Sequence, residues 1–260
     1  MLQNHSLLHN IKLKMLNQGN MNTLYDDFIF QILMGNLDNE LSKNNREYIT
    51  NMAYEFLCEN KIKRFQSWNY RKKYSTSLDQ VSYHLSQGSH SVLKWKNFNL
   101  FKSCFDLAIY TQLINNIKPD MIIEYGSGDG GSASWLEDMT KSLGLKTKII
   151  SYDIKNINIK KTKVIFNQID LTKELPKIKK EKGIKLVIED AHVNLVKVLL
   201  NTDKILNKND YMVIEDSGSK KEQIGEFLKK SKNIYEVDTF YTDFFGKNYT
   251  TAINTIFRVK

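Results

Sequence analysis

Short apolar runs alternate with amphipathic segments between residues 121 and 214. Each run is typical of a buried strand, and segments between the runs have apolar residues at helical spacing. This alternation predicts an α/β fold with a doubly wound, mostly parallel sheet, whose ligands bind at the carboxyl ends of the strands. The predicted strands begin at Met121, Ile149, Val164, Leu186 and Tyr211.

Two further apolar runs, at residues 235–241 and 252–259, lack a helical pattern between them. They predict an antiparallel hairpin at the end of the sheet. Residues 1–95 contain no proline and have irregular helical periodicity, for example at Leu24, Phe28 and Ile32. We therefore predict a helical N-terminal appendage, residues 1–95, followed by a Rossmann-like α/β domain, residues 96–260.

Composition narrows the class of protein. The chain has 260 residues, no run of 18 apolar residues, and a formal charge of +9 that favours anionic partners. The excess of lysine occurs in a sequence that is also rich in Asn and Ile, and it is equally typical of a protein encoded by an AT-rich genome. Cys58 and Cys104 are the only cysteines and have neither metal-type spacing nor a disulfide pattern. Since residues 1–12 also lack the pattern of a secretory signal, we expect a cytoplasmic protein without a membrane span.

A basic and aromatic segment lies at residues 61–74. It interleaves six cations with four aromatic residues, a composition that can bind single-stranded nucleic acid. The simpler interpretation is a helix with an apolar stripe and a solvated basic face. A third interpretation is that its cations help an anionic substrate to approach the active site.

The first strand of the predicted sheet ends in an acid and a glycine-rich turn. Gly126, Gly128 and Gly131 match the dinucleotide pattern G-x-G-x-x-G. Glu124 and Gly130 complete a second pattern, E-x-G-x-G-x-G, which resembles the first motif of class I S-adenosyl-L-methionine (SAM) methyltransferases. A carboxylate would repel a pyrophosphate but suits an ammonium and a sulfonium, so we favour SAM over NAD. The predicted cofactor-binding residues of this segment are Glu124, Gly126, Ser127, Gly128 and Ser132.

Acids recur at the ends of the later strands, although Asp and Glu are depleted in strands. Asp153 follows the second strand, where an acid accepts hydrogen bonds from ribose hydroxyls. Asp170 follows the third strand and would lie near the adenine. Each acid has an alternative role as a helix N-cap.

Three more acids, Glu189, Glu215 and Asp216, end neighbouring strands. Crowding them uncompensated would cost several kcal/mol per buried ion. A hard divalent cation such as Mg²⁺ would remove that cost, since it prefers oxygen ligands and keeps positions for water and substrate. Asp190 and His192 lie next to this cluster.

The segments 118–126, 189–194 and 211–216 resemble the cephalosporin hydroxylase and rhamnosyl O-methyltransferase family. The resemblance covers roughly residues 93–216. It implies a SAM-binding core with an acidic Mg²⁺ site beside the methyl donor, and by position Glu189, Glu215 and Asp216 match the metal ligands. The family often has Asp at the first of these positions.

Methyl transfer fits this sequence better than hydroxylation does. A non-haem iron oxygenase needs two His and one carboxylate, and His192 is the only histidine in the catalytic half. The resemblance therefore implies a SAM-dependent, Mg²⁺-assisted O-methyltransferase acting on a sugar-derived or anionic small molecule, as in the tailoring of surface glycans such as capsule or lipopolysaccharide. His192 is the expected general base and Asp190 the alternative, while a purely structural His192 stays open.

Other classes of function are kept as alternatives. The basic segment and the net charge would suit an RNA methyltransferase, but no N/D-P-P-Y/F motif for base amines is present. We do not expect a nucleic-acid partner. A non-catalytic nucleotide-binding protein and an NAD enzyme are the remaining alternatives, and homo-oligomerisation is left open.

Overall fold

The computed structural model describes residues 64–73, 75–76 and 78–260. Arg64–Lys260 form one compact unit around a central sheet. Of the predicted appendage, residues 1–63 lie outside the described residues. The described strands are β1 (Phe65–Ser67), β2 (Lys94–Trp95), β3 (Phe98–Asn99), β4 (Met121–Tyr125), β5 (Lys148–Asp153), β6 (Ile165–Gln168), β7 (Lys185–Glu189), β8 (Tyr211–Ile214), β9 (Tyr235–Asp238) and β10 (Ile256–Val259).

Helices connect these strands and cover the sheet. Ser103 caps the long helix before β4 by accepting a hydrogen bond from the Asp106 N–H, as N-cap serines do. No helix in the described residues is long and apolar enough to cross a bilayer. The described α-helices are α1 (Trp68–Arg71), α2 (Gln80–Leu85), α3 (Cys104–Ile117), α4 (Gly131–Ser142), α5 (Leu195–Asp203), α6 (Lys221–Lys230) and α7 (Thr239–Thr242).

The central sheet has the strand order β1-β9-β10-β8-β7-β4-β5-β6 in the described part of the chain. Strands β8, β7, β4, β5 and β6 are parallel to one another. Strand β10 pairs antiparallel with both β8 and β9, and β1 pairs antiparallel with β9. The carboxyl ends of the parallel strands therefore meet at one edge, where an α/β sheet binds its ligands.

Both faces of the sheet are buried. Along β4, Ile123 belongs to one apolar cluster and Ile122 to the other, because successive side chains of a strand point to opposite faces. Every residue of β4 and β7 is buried, as expected for central parallel strands covered by helices on both sides. This explains why their sequences are apolar runs rather than alternating patterns.

The predicted doubly wound α/β fold is confirmed, with two differences in detail. Strands β9 and β10 are antiparallel neighbours as predicted, but the short helix α7 lies between them. Strand β1 pairs with β9, so the compact unit begins at Arg64 and the predicted boundary near residue 95 falls inside it. A three-residue strand is too short to show a periodicity that sequence reading could detect.

Two arginines of the basic segment have structural partners. Arg64 forms two hydrogen bonds, of 2.8 and 2.9 Å, with the carboxylate of Asp238. The buried Arg71 donates to Asn254 Oδ1 at 2.8 Å and to Asp243 Oδ1 at 2.7 Å. These contacts join the segment to the C-terminal part of the unit, so these two arginines serve the fold.

Candidate active site

The glycine turn after β4 needs glycine for two reasons. Gly126 has φ +90°, a conformation that residues with a Cβ rarely adopt. A Cβ at Gly126 would also lie 2.5 Å from the carbonyl oxygen of Asp190, in the loop after β7. The turn therefore packs its backbone directly against the neighbouring loop, and a side chain there would push the two apart.

Glu124, the predicted acid of the SAM motif, is fully buried and does not line the cavity beside the turn. Its Oε1 accepts a 2.5 Å hydrogen bond from the Ser132 hydroxyl at the start of α4. Its Oε2 accepts from the hydroxyl of Ser151, which is in turn hydrogen-bonded to Ser127. Burial raises the pKa of the Glu124 carboxyl. Glu124 thus connects the strand before the turn to α4 and β5 through buried hydrogen bonds.

A cavity of about 450 Å³ opens at the carboxyl edge of the sheet. Its walls are formed by the glycine turn, by the ends of β5, β7 and β8, and by the segment before α3. Among the predicted site residues, Glu124, Asp170, Glu189 and Glu215 are not part of this lining. The predicted residues that do line it are Gly126, Ser127, Gly128, Ser132, Asp153, Asp190, His192 and Asp216.

Asp153 and Asp170 are placed differently. Asp153 lines the cavity, and its carboxylate accepts from the Gly128 N–H and the Lys155 N–H, both at 2.8 Å. Asp170 instead accepts from the backbone and hydroxyl of Thr172, and these bonds lower the pKa of Asp170 to about 2. Asp170 therefore bonds to the residues that follow it, a local role similar to the N-cap role kept as its alternative. Its neighbours Ile169 and Leu171 line the cavity.

Lysines hold two of the three predicted metal ligands. The Nζ atom of Lys220 lies 3.1 Å from Glu189 Oε2. The Nζ atom of Lys102 donates to Glu215 Oε2 at 2.7 Å. Both glutamates are buried, and of the three predicted ligands only Asp216 lines the cavity. Lysines relieve the crowding of negative charge at these two glutamates, and the metal set of Glu189, Glu215 and Asp216 stays a prediction.

A different group of side chains converges on the cavity. The Nε2 atom of His192 lies 3.2 Å from Asp190 Oδ1 and 3.5 Å from Asp216 Oδ2. One ligand atom from each of the three residues lies within 4.8 Å of the others. The alternative base, Asp190, and the predicted base, His192, thus share one cluster with the predicted ligand Asp216.

The charges within this cluster are coupled. The hydrogen bond with Asp190 raises the pKa of the His192 imidazole above its ordinary value. Burial alone would raise the pKa of Asp190, but the nearby Lys102 and His192 outweigh it and hold that pKa at about 2. Asp190 is therefore ionised at neutral pH and is a weak proton acceptor.

The backbone of the cluster is in an unusual conformation. His192 has φ +60° and Asp216 has φ +45°, in the left-handed region that residues with a side chain occupy uncommonly. Such conformations cost of order 1–3 kcal/mol each and persist when the surrounding structure requires them. Here they direct both side chains into the same cavity.

Several residues at the cavity have no signal in the sequence that marks them as site residues. Tyr83 on α2 donates from its hydroxyl to Asp216 Oδ1 at 3.0 Å. Asn99 and Phe101 line the cavity, and Asn99 donates to Asp129 Oδ2 of the glycine turn at 2.9 Å. Lys102 lies beside the N-cap Ser103, with no pattern around it that marks a site residue.

Known proteins resemble this chain in sequence. The family model described as "Rhamnosyl O-methyltransferase/CmcI" matches residues 87–226, more than half of the chain. The rhamnosyl O-methyltransferase of Mycobacterium leprae (strain TN) is 26% identical over 136 residues, which are 47% of this chain and 59% of that protein. That of Mycobacterium tuberculosis (strain ATCC 25618 / H37Rv) is 24% identical over 137 residues, 47% of this chain and 56% of that protein. The chain thus spans less than two thirds of these relatives.

Solved structures share the fold. A structure of cmcI with Mg and SAM superposes with a TM-score of 0.56 at 18% identity, and covers 72% of this chain and 87% of that one. A structure of cmcI with SAH gives a TM-score of 0.54 at 19% identity, covering 72% of this chain and 95% of that one. At this level of identity the likeness establishes the architecture alone.

Proposed function

Because the chain belongs to the rhamnosyl O-methyltransferase/CmcI family, we propose that it is a SAM-dependent O-methyltransferase whose acceptor is a hydroxyl group of a sugar or sugar-derived metabolite. One observation supports this most directly. A single cavity joins the glycine turn, where a cofactor of this family would bind, to the cluster of Asp190, His192 and Asp216. The cavity therefore has room for a methyl donor beside a group of ionisable side chains that would face the acceptor hydroxyl.

The residues at the cavity fit SAM. The turn at Gly126 and Gly128 gives close backbone approach, and Asp153 offers carboxylate oxygens of the kind that hold ribose hydroxyls. Ile169 and Leu171 supply an apolar wall for a purine. Bound SAM supplies an electrophilic methyl group on its sulfonium. The protein must align that group with the acceptor oxygen and exclude water from it.

The cluster also fits a divalent cation, which we propose to be Mg²⁺. Mg²⁺ is commonly held by one or two carboxylates and keeps several waters or substrate oxygens. Asp190 and Asp216 would supply those carboxylates, with His192 beside them. A bound ion would lower the proton affinity of an acceptor hydroxyl. Glu189 and Glu215, which were predicted as ligands, are not needed for this arrangement because lysines neutralise them.

Between the two predicted bases, His192 is the better proton acceptor. Asp190 has a pKa of about 2 and already accepts from Lys102, so it gains little by taking a proton. Its second oxygen faces His192 Nε2, which fixes the neutral ring with the proton on Nε2. The acceptor hydroxyl would then give its proton to Nδ1 of His192, and Asp190 would stabilise the imidazolium that forms.

The class of acceptor is proposed from the relatives and from charge. The mycobacterial relatives are rhamnosyl O-methyltransferases. A sugar hydroxyl suits both the cation site and the polar wall formed by Tyr83 and Gln87. A phosphorylated or nucleotide-linked sugar would also match the net charge of +9. We propose that the product belongs to the tailoring of a glycan, as in capsule or lipopolysaccharide.

The test is a transfer assay with methyl-labelled SAM. The full chain is incubated with Mg²⁺ and a panel of rhamnosides, nucleotide-activated sugars and phosphorylated metabolites, and parallel reactions contain EDTA. We expect label to move to a sugar hydroxyl and EDTA to reduce the rate. Label transferred to RNA instead would support the alternative of an RNA methyltransferase. SAM binding without transfer to any acceptor would leave the non-catalytic alternative.

A further inference from the structure

Lys102 is a buried lysine inside the acidic end of the sheet. Its side chain is 3% exposed, and its ammonium group donates to Asp190 Oδ2 at 2.6 Å and to Glu215 Oε2 at 2.7 Å. Burying a lysine is costly unless its charge is paired and hydrogen-bonded. Burial alone would lower the pKa of Lys102, but Asp190 and Glu215 raise it well above its ordinary value. Lys102 is therefore a fixed positive charge.

Glu215 is buried and does not line the cavity, and both of its oxygens accept hydrogen bonds from buried donors. Lys102 binds Oε2, and the buried hydroxyl of Tyr110 donates to Oε1 at 2.5 Å. Asp190 is shared differently: Lys102 binds Oδ2, whereas Oδ1 faces His192 at 3.2 Å. Asp216, which is 48% exposed, keeps its carboxylate on the open side of the cluster. The ammonium group thus lies between the inner acid, Glu215, and the outer acid, Asp190.

We propose that Lys102 acts as a built-in cation between Asp190 and Glu215, which excludes Glu215 from divalent-cation binding and confines the ion to Asp190 and Asp216. This inference rests on the cation site proposed above. It also makes Lys102 a positioning residue, because its bond to Oδ2 turns Oδ1 of Asp190 towards His192. A sequence pattern of acids alone would place the ion deeper, on Glu215.

The inference predicts that removing the ammonium group strengthens cation binding. In Lys102→Met, Asp190 and Glu215 lose their shared positive charge and become available to a divalent ion. Mn²⁺ is used as a probe, without SAM or acceptor. We expect it to bind about tenfold or more tightly, since removing one buried positive charge that repels the ion is worth at least ~1.4 kcal/mol. The gain should disappear in the double variant Lys102→Met/Glu215→Gln.

Lys220→Met is the matched control. Lys220 is also a buried lysine paired with a glutamate, but Glu189 does not line the cavity. Its removal changes the net charge by the same amount and frees Glu189 Oε2, while Glu189 Oε1 still accepts a hydrogen bond from the His192 N–H at 3.0 Å. Lys220 bonds to Glu189 and to the backbone oxygen of Glu215 rather than to a carboxylate of the proposed site, so Mn²⁺ affinity should rise less in this variant than in Lys102→Met.

Mn²⁺ binding is measured on the full chain by titration with electron paramagnetic resonance, and SAM affinity and thermal unfolding are recorded for each variant. If Lys102→Met does not fold, two variants that keep Lys102 decide the question. Glu215→Gln should leave Mn²⁺ affinity unchanged, whereas Asp216→Asn should weaken it. These readouts need no turnover, so a chain that binds Mn²⁺ as described but transfers no methyl group would overturn the proposed function only.

Three results would overturn the inference. The first is a Lys102→Met variant that folds and binds Mn²⁺ no more tightly than Lys220→Met does. The second is a loss of Mn²⁺ affinity in Glu215→Gln as large as that in Asp216→Asn. The third is the absence of Mn²⁺ binding from both the unmodified chain and Lys102→Met.

Discussion

The backbone of Gly126 packs against the backbone of Asp190, so closely that a Cβ on Gly126 would lie 2.5 Å from the Asp190 carbonyl oxygen. The contact joins the turn after β4, where we place the cofactor, to the loop after β7, which holds the proposed base and cation ligands. Binding of cofactor and binding of cation should therefore respond together to a change at this point.

Gly126→Ala should weaken the binding of both SAM and Mn²⁺ and lower thermal stability. The new methyl group must displace one loop, and the position has φ +90°. We expect a destabilisation of roughly 2–4 kcal/mol, the sum of a steric overlap and a strained backbone. Calorimetric titration and thermal unfolding measure these effects.

Gly144→Ala is the control for backbone strain alone. Gly144 also has a positive φ, +69°, but a Cβ there meets nothing within 4 Å. Its substitution should lower the unfolding temperature without changing SAM affinity. Equal losses of SAM affinity in the two variants would contradict the role given to the contact with Asp190.

Asp153→Ala should weaken SAM binding by about 1–3 kcal/mol, because hydrogen bonds to a charged acceptor would be lost. Asp170→Ala is its matched control, since Asp170 bonds to Thr172 and does not line the cavity. SAM dissociation constants from calorimetry check both. A larger effect at Asp170 than at Asp153 would reverse the assignment and return Asp170 to the adenine site.

His192→Asn should lower the rate of methyl transfer by about a hundredfold to ten-thousandfold at saturating SAM and Mg²⁺, the usual value of general-base catalysis. Asn is chosen because it tolerates the left-handed backbone, φ +60°, better than Ala does. SAM affinity should be unchanged. A rate within about threefold of the unmodified enzyme would leave His192 with a structural role only.

The pKa of His192 in the metal-free protein should lie above its ordinary value of 6.5, because Asp190 accepts a hydrogen bond from the charged ring. A raised pKa favours the protonated form, so the neutral base accumulates only as the pH rises through that higher value. Titration of the ring resonances by NMR, assigned with the His192→Asn variant, measures it. Asp190→Asn should move the midpoint to lower pH, and an unmoved midpoint would contradict the coupling.

The apolar runs of this chain predict the central strands, because a strand that is covered on both faces of a sheet is apolar at nearly every position. Ile122, Leu186 and Val213 lie in such strands. The runs also predict that acids collect at one edge. The partners of those acids could not be predicted, since Lys102 and Lys220 reach Glu215 and Glu189 only through the packing of separate elements. The wall formed by Tyr83 and Asn99 could not be predicted for another reason, since the short elements that carry these residues show little periodicity.

The pairing of β1 with β9 has a consequence for how the chain folds. Phe65 lies opposite Asp238, so this edge of the sheet closes a loop that contains most of the compact unit. Contacts between residues so far apart in sequence form slowly, because the loop entropy is lost before the contact is gained. During synthesis, β1 must wait for residues 235–238 to leave the ribosome. A chain truncated before β9 would therefore retain its cofactor turn but lose the strand partner of the segment that leads to Tyr83 and Lys102.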